Sequence, residues 1–250
     1  LKERVKCRFN PFLFHSEMKF IVPQQLSLPI QQIDSDTLAN FDGANNALLL
    51  NSLQQKASDQ HFFYLWGAAG TGKTHLLRGL SNDYLNQGLS AIYVPLSKSR
   101  YFSPEVLDNL ENQQLVCLDD VQQVVGQSDW EIALFDLFNR IKANQQTRLL
   151  VAADCSPNAL PVQLPDLASR LKWGEAYQLI PLSDAQKLAW LQQNAHQRGI
   201  VLPEETAHFL FNRLDRDMAT LKATLEQLDQ ASLQAKRNLT IPFVKSILAL

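Results

Sequence analysis

Residues 67–74 read Gly-Ala-Ala-Gly-Thr-Gly-Lys-Thr, a full match to the spacing G-x-x-x-x-G-K-[ST]. The chemistry this pattern serves is the binding of a polyphosphate. Gly67, Gly70 and Gly72 let the backbone curl, so that N–H groups along the stretch, those of Ala68, Ala69 and Thr71 included, can converge on phosphate oxygens. A helix starting here adds partial positive charge at its N-terminus. Lys73 brings a full charge to the outer phosphates, and Thr74 offers a hydroxyl to Mg²⁺. His75 closes the cofactor-binding stretch and reads as a packing side chain rather than a catalytic one. The alternative is a glycine-rich turn that holds nothing. An apolar run before the motif, Phe62–Trp66, and a helical pattern after it supply the strand–loop–helix context that favours a ligand.

A metal-bound polyphosphate also needs carboxylates. Leu115-Val-Cys-Leu-Asp119-Asp120 is an apolar run ending in two of them. Asp119 suits the Mg²⁺ shell and Asp120 suits the polarising of an attacking water. Two solvated loop residues are the alternative. Asp120 stands where many hydrolases carry Glu, and the shorter base predicts slow hydrolysis by the chain itself.

The elements that must position these groups follow from the apolar pattern. Short apolar runs at Phe62–Trp66, Ala91–Val94, Leu115–Leu118, Arg148–Ala152 and Ala176–Leu179 alternate with longer helical stretches. Each reads as a strand apolar on both faces, which predicts an α/β fold with a covered parallel sheet. After about residue 180 the strand signals stop. Ser183-Asp-Ala-Gln186 is a capping-box pattern, Gly199 suits a helix end, and Pro203 suits the first turn of the next helix. Met218, Leu221, Leu225, Leu228 and Leu233 fall near helical spacing, and Thr240 suits the cap of a last short helix. The expected organisation is a tail over 1–35, an α/β nucleotide-binding domain over 36–179 and a small all-helical domain over 180–250.

Bulk properties narrow the function. The 250 residues carry a net charge of −2, without the basic surplus of a non-specific nucleic-acid binder. Cys7, Cys117 and Cys155 are odd in number and lack metal-ligand spacing, as reduced thiols of a cytoplasmic protein would be. No apolar run approaches the ~20 residues of a membrane span. Residues 1–17 show no signal-peptide pattern, and Met18 suits a start.

Further landmarks follow in order: Leu149-Leu-Val-Ala-Ala-Asp154, then Leu167-Ala-Ser-Arg170-Leu-Lys-Trp-Gly174, then Leu214-Asp-Arg216-Asp-Met. With the phosphate motif and the acidic run, they resemble the AAA+ ATPases of the bacterial replication-initiator group, from about residue 36 onward. The resemblance implies a P-loop AAA+ sheet with a helical lid. It implies that Asp154 is the first sensor near the γ-phosphate and that Arg216 is a second sensor reaching the phosphates from the lid. It makes Arg170 an arginine finger acting on a neighbouring subunit's nucleotide. Locally, Arg170 could equally be an ion-pair partner of Asp166, and Arg216 a helix-start residue beside Asp215 and Asp217. Leu38, Phe41 and Gly43 lie where the group wraps an adenine.

Within that group, the sequence in hand ends after the lid helices, and Pro95–Gln114 is short, with Lys98 and Arg100 its cations. Both features point away from an origin-binding initiator. Gln25-Leu26-Ser27-Leu28-Pro29-Ile30 resembles the linear motif that docks proteins on the DNA polymerase sliding clamp. A tail packing on its own core is the alternative. The combination implies a regulator that holds ADP or ATP with Mg²⁺ and is tethered to the clamp. Its partner would be the replication initiator DnaA, whose ATP hydrolysis Arg170 would promote, and it would meet DNA only through the clamp. An independent ATPase of helicase-loader type, a non-catalytic recruiter of the initiator and a homo-oligomer are the other arrangements that the pattern allows.

Overall fold

The computed structural model describes residues 38, 41, 43–54, 61–235 and 237–250. The segment Gln25–Ile30 lies outside them. Five strands form one parallel sheet: β1 (Phe62–Trp66), β2 (Ala91–Pro95), β3 (Leu115–Asp119), β4 (Arg148–Ala153) and β5 (Glu175–Gln178), in the order β2-β3-β4-β1-β5. Helices α1 (Ala47–Gln54), α2 (Lys73–Asn86), α3 (Ser128–Asn144) and α4 (Pro165–Leu171) accompany the sheet.

Consecutive strand residues point to opposite faces. Phe63, Leu65, Leu115, Cys117, Leu150 and Ala152 pack with Leu76, Leu77 and Leu80 of α2 and Leu49 and Leu53 of α1. Tyr64, Val116, Leu118, Leu149 and Val151 pack on the other side with α3 and α4. A strand covered on both faces needs apolar residues along its middle, which is why β1, β3 and β4 read as near-continuous apolar runs, with the charged Asp119 and Arg148 only at strand ends. The expectation that all five strands would be like this fails at the sheet edges. β5 reads Glu-Ala-Tyr-Gln, begins one residue earlier than expected and is mostly exposed, and β2 is half-buried. An edge strand has a neighbour on one side only, so water reaches it.

Arg148 opens β4 and is buried, yet it is satisfied. Its guanidinium donates to the carbonyls of Ser52 (3.0 Å) and Leu53 (2.7 Å) in the last turn of α1. Those carbonyls have no partner within the helix, so the arginine both caps α1 and ties it to the sheet.

The remaining helices are α5 (Asp184–Gln197), α6 (Glu204–Arg213), α7 (Met218–Ala235) and α8 (Ile241–Leu248). They enclose a core of their own around Leu191, Ala195, Leu210, Leu225, Leu228 and Val244. The capping box forms, with Gln186 N–H donating to the Ser183 hydroxyl at 3.3 Å. Gly199 takes a φ of +74° just past α5. Pro203 sits one residue before α6, as its cap, rather than in its first turn. Leu233 is 71% exposed. The buried stripe of Leu221, Leu225 and Leu228 continues at position 232, and one residue further turns the side chain by about 100°. The chain leaving β5 toward α5 is tied to the turn before α1 by Asn46, whose side chain accepts from Ile180 N–H (3.0 Å) and donates to Ile180 O (3.2 Å).

Candidate functional site

The phosphate loop joins the C-terminal end of β1 to α2. Gly70 (φ +78°) and Gly72 (φ +95°) take conformations that side chains resist, and a Cβ on Gly72 would stand 3.0 Å from the Phe41 ring. Lys73 is 8% exposed and folds back over the loop, donating to Gly67 O (2.6 Å) and Ala68 O (2.9 Å). Burial pulls its pKa below the ordinary lysine value, while Asp119, Asp120 and Asp154 push back by favouring the charged form. The Thr71 hydroxyl closes the turn on Ala68 O at 2.9 Å.

β4 lies between β1 and β3, so the C-terminal ends of three adjacent strands deliver the loop, Asp154 and Asp119 to one place. Asp119 is 1% exposed. Its Oδ2 accepts from the Thr74 hydroxyl (2.6 Å) and the Tyr93 hydroxyl (2.8 Å), and its Oδ1 from the Asp120 N–H (3.1 Å). Burial first, and then the Asp119 charge, raise the Tyr93 pKa, so the phenol stays protonated and donates. Asp120 has a φ of +58°, a left-handed conformation that costs a non-glycine residue energy. Gln122 Nε2 donates to its Oδ1 at 3.2 Å. The pair Thr74 Oγ1 and Asp119 Oδ2 suits Mg²⁺, which takes few protein oxygens and fills its shell from phosphate and water. Among the described residues no group of three or more His, Cys, Asp or Glu forms a separate metal cage.

The His75 ring lies 6.0 Å from that of Phe41, and Leu38 and Phe41 pack against the core beneath α2. Tyr64 donates to Cys155 O at 3.0 Å, holding the chain just after Asp154. Among the described residues Arg216 makes no hydrogen bond to the loop. It donates to Asp184 Oδ2 at 2.5 Å and lies 5.1 Å from the Phe211 ring centroid, while Lys187 Nζ donates to its carbonyl at 2.7 Å.

Arg170 stands at the other end of the sheet. Trp173 and Gly174 precede β5, and a Cβ on Gly174 would collide with the ring and carbonyl of Phe62, the first residue of β1. The phosphate loop follows Trp66, the last residue of β1, about 13 Å further along the strand. The guanidinium carbon lies 3.8 Å from the Trp173 ring centroid and 5.7 Å from that of Phe135. The ion pair with Asp166 that the local sequence allowed does not form. Among the described residues Arg170 has no carboxylate within salt-bridge range.

Sequence reasoning missed three groups that hold the site. Tyr93 reaches Asp119 from β2, and no local pattern marks it. Asp184 holds Arg216. Glu131, in the first turn of α3, accepts from Gly126, Gln163 and Leu164 N–H and so fixes the chain entering α4. Ser128 and Glu131 have capping-box spacing, which suggests a local bond instead of this distant one.

A parallel sheet of this order, a phosphate loop after β1, an acidic end on β3 and a C-terminal helical lid define a P-loop AAA+ protein. Residues 36–178 match the bacterial DnaA ATPase domain family, and residues 184–248 match the Hda lid domain. The chain belongs to the DnaA ATPase-domain family and is an Hda-like, DnaA-homologous AAA+ protein connected with replication initiation. A protein of Haemophilus influenzae, described as uncharacterized, is 63% identical over 229 residues, which cover 91% of this chain and 99% of that one. Domain III of the Thermotoga maritima initiator DnaA superposes with a TM-score of 0.70 at 20% identity, covering 86% of this chain and 96% of that one. AMPPCP-bound DnaA from Aquifex aeolicus gives 0.64 at 22% identity, covering 82% and 68%. No helix among the described residues is long and apolar enough to cross a membrane.

Proposed function

We propose that this protein binds an adenine nucleotide with Mg²⁺ and regulates replication initiation by completing the active site of a neighbouring, ATP-bound DnaA with Arg170. The observation that carries this is the placement of Arg170. It lies at the opposite end of β1 from the chain's own phosphate loop and, among the described residues, has no carboxylate partner. A guanidinium there cannot serve its own nucleotide and is free to serve another molecule's. As a phosphoryl group transfers, negative charge spreads over its oxygens, and a planar cation in a water-poor contact stabilises that charge.

The chain's own site has the chemistry of a nucleotide-holding lock. Lys73, the loop N–H groups and the start of α2 would hold the phosphates, and Thr74 and Asp119 the metal. Asp154 and Asp120 would border the outer phosphate, and Arg216 would reach it from the lid on leaving Asp184. AMPPCP in the Aquifex aeolicus relative supports adenine as the base. When bound, the nucleotide and Mg²⁺ supply charge that ties the sheet to the lid. The three-domain division at 35 and 179, and the docking of Gln25–Ile30 on the sliding clamp, complete the proposal. The clamp assignment rests on the sequence motif alone. Clamp tethering would raise the effective concentration of two weakly associating partners.

The test is single-turnover phosphate release from ATP-bound DnaA, with the protein, ADP and DNA-loaded clamp added. Arg170→Ala should keep nucleotide binding and lower the stimulated rate by about a thousandfold. Stimulation equal to wild type would reject the trans role.

A further inference from the structure

Three elements converge on one indole. Arg170 comes from the last turn of α4, Trp173 from the turn that follows it, and Lys142 from the last turn of α3. The Arg170 guanidinium carbon is 3.8 Å from the Trp173 ring centroid, and Lys142 Nζ is 3.7 Å from it. Both cations therefore lie within cation–π distance of the same indole. Neither cation has a carboxylate in salt-bridge range among the described residues. A cavity of about 330 Å³ opens beside the stack, lined by Arg170, Lys142, Trp173, His61 and Phe62 among others. Trp173 is 49% exposed, so the stack borders solvent.

The turn beneath the indole is tied down by hydrogen bonds and packing. Trp173 N–H donates to Arg170 O at 3.0 Å, and Lys172 N–H to Ser169 O at 3.2 Å, closing the end of α4. Gly174 presses against Phe62, whose ring packs edge-on against Phe138 at 4.9 Å. Leu167 and Leu171 anchor α4 in the core. An arginine on a short helix at a surface would otherwise sample many rotamers. Stacking on the indole limits that freedom, and among the described residues no carboxylate competes for the charge.

We propose that Trp173 is the positioning residue of Arg170, and that Lys142 helps to hold the same indole in place. The finger is thereby oriented before a partner arrives, and its full charge is kept for the partner's nucleotide. This rests on the trans role of Arg170 proposed above. Because the stack acts on geometry rather than on docking area, its loss should slow the stimulated chemical step more than it weakens association. Misplacement by about 1 Å is enough for a rate loss of about a hundredfold. An aromatic replacement should restore most of the rate, since its face still supports the guanidinium, whereas an aliphatic one should not.

The experiment measures stimulated phosphate release from ATP-bound DnaA against protein concentration for wild type, Trp173→Phe, Trp173→Leu, Lys142→Met and Arg170→Ala. A proton–nitrogen spectrum of the Arg170 Nε–H reports the stacking independently of activity. Expected are a maximal rate at least about tenfold lower for Trp173→Leu with a half-saturating concentration within about threefold of wild type, recovery to within about threefold in Trp173→Phe, and an intermediate rate in Lys142→Met. The Arg170 Nε–H signal should lose its ring-current shift in Trp173→Leu. If Arg170→Ala abolishes stimulation while Trp173→Leu keeps the wild-type maximal rate, or fails only through half-saturation, the positioning role is wrong and the finger stands. If Arg170→Ala changes nothing, the finger itself falls, and the positioning role falls with it. A ring-current shift that survives in Trp173→Leu would overturn the stack itself.

Discussion

Glu131 offers a direct test of how the finger helix is held. The residue is 2% exposed, and its carboxylate accepts from Gly126 N–H (2.8 Å), Gln163 N–H (3.0 and 3.1 Å) and Leu164 N–H (2.7 Å). Leu164 is the residue before α4, so this one group fixes the entry to the helix that carries Arg170. Glu131→Gln keeps the volume but replaces one acceptor oxygen by an NH₂. Whichever oxygen goes, either Gly126 or Leu164 N–H then faces another donor. Losing a bond to a charged acceptor and orphaning a buried N–H should together cost about 2–4 kcal/mol. At about 2–4 °C per kcal/mol for a chain of this size, the thermal midpoint should fall by about 5–15 °C.

The sign with pH is set by the carboxylate's own shift. Burial raises its pKa, but the backbone N–H groups of Gln163, Gly126 and Leu164 together outweigh burial and leave it lowered. A lowered carboxylate contributes stability that is present above the unfolded value of about 4.3 and is lost as pH falls through the folded value. The gap between wild type and Glu131→Gln in calorimetry should therefore be widest near neutral pH and close on acidification. A midpoint within about 2 °C of wild type at about pH 7, or a gap that does not change on acidification, would refute the reasoning.

Gly72→Ala should weaken nucleotide binding and destabilise the fold by about 1–2 kcal/mol, because it forces a side chain into a φ of +95° against Phe41; titration calorimetry and melting would read both. Asp184→Asn should raise nucleotide affinity by about two- to fivefold in equilibrium titration, since a half-exposed pair worth at most about 1 kcal/mol would no longer hold Arg216 away from the loop; unchanged or weaker binding would count against Arg216 as a phosphate contact. Replacing Leu28 and Ile30 together by Ala should remove retention on immobilised sliding clamp while leaving nucleotide binding unchanged; wild-type retention would end the docking assignment.

The amino-acid sequence by itself determined the parts whose information is local. The phosphate loop is legible because its glycines, Lys73 and Thr74 must lie within eight consecutive positions to wrap one anion. β1, β3 and β4 are legible because the middle of a strand covered on both faces favours apolar residues on both sides, so burial is written along the chain. The capping box at Ser183 and Gln186 is legible because both halves of it sit within one helical turn. What the sequence left open depended on which segments meet. Whether Arg170 pairs with Asp166 or stands free was undecidable from a seven-residue helix. Tertiary structure decided it by placing the Trp173 ring against the guanidinium, with the Phe135 ring near it. The same holds for Tyr93 on Asp119, Arg148 on α1, Glu131 on the entry to α4 and Asp184 on Arg216. Except for Asp119, each of those side chains looks, in its own neighbourhood, like an ordinary strand or surface residue. Their roles arise from separations of roughly 25 to 95 residues that close only when the sheet, its helices and the lid are assembled.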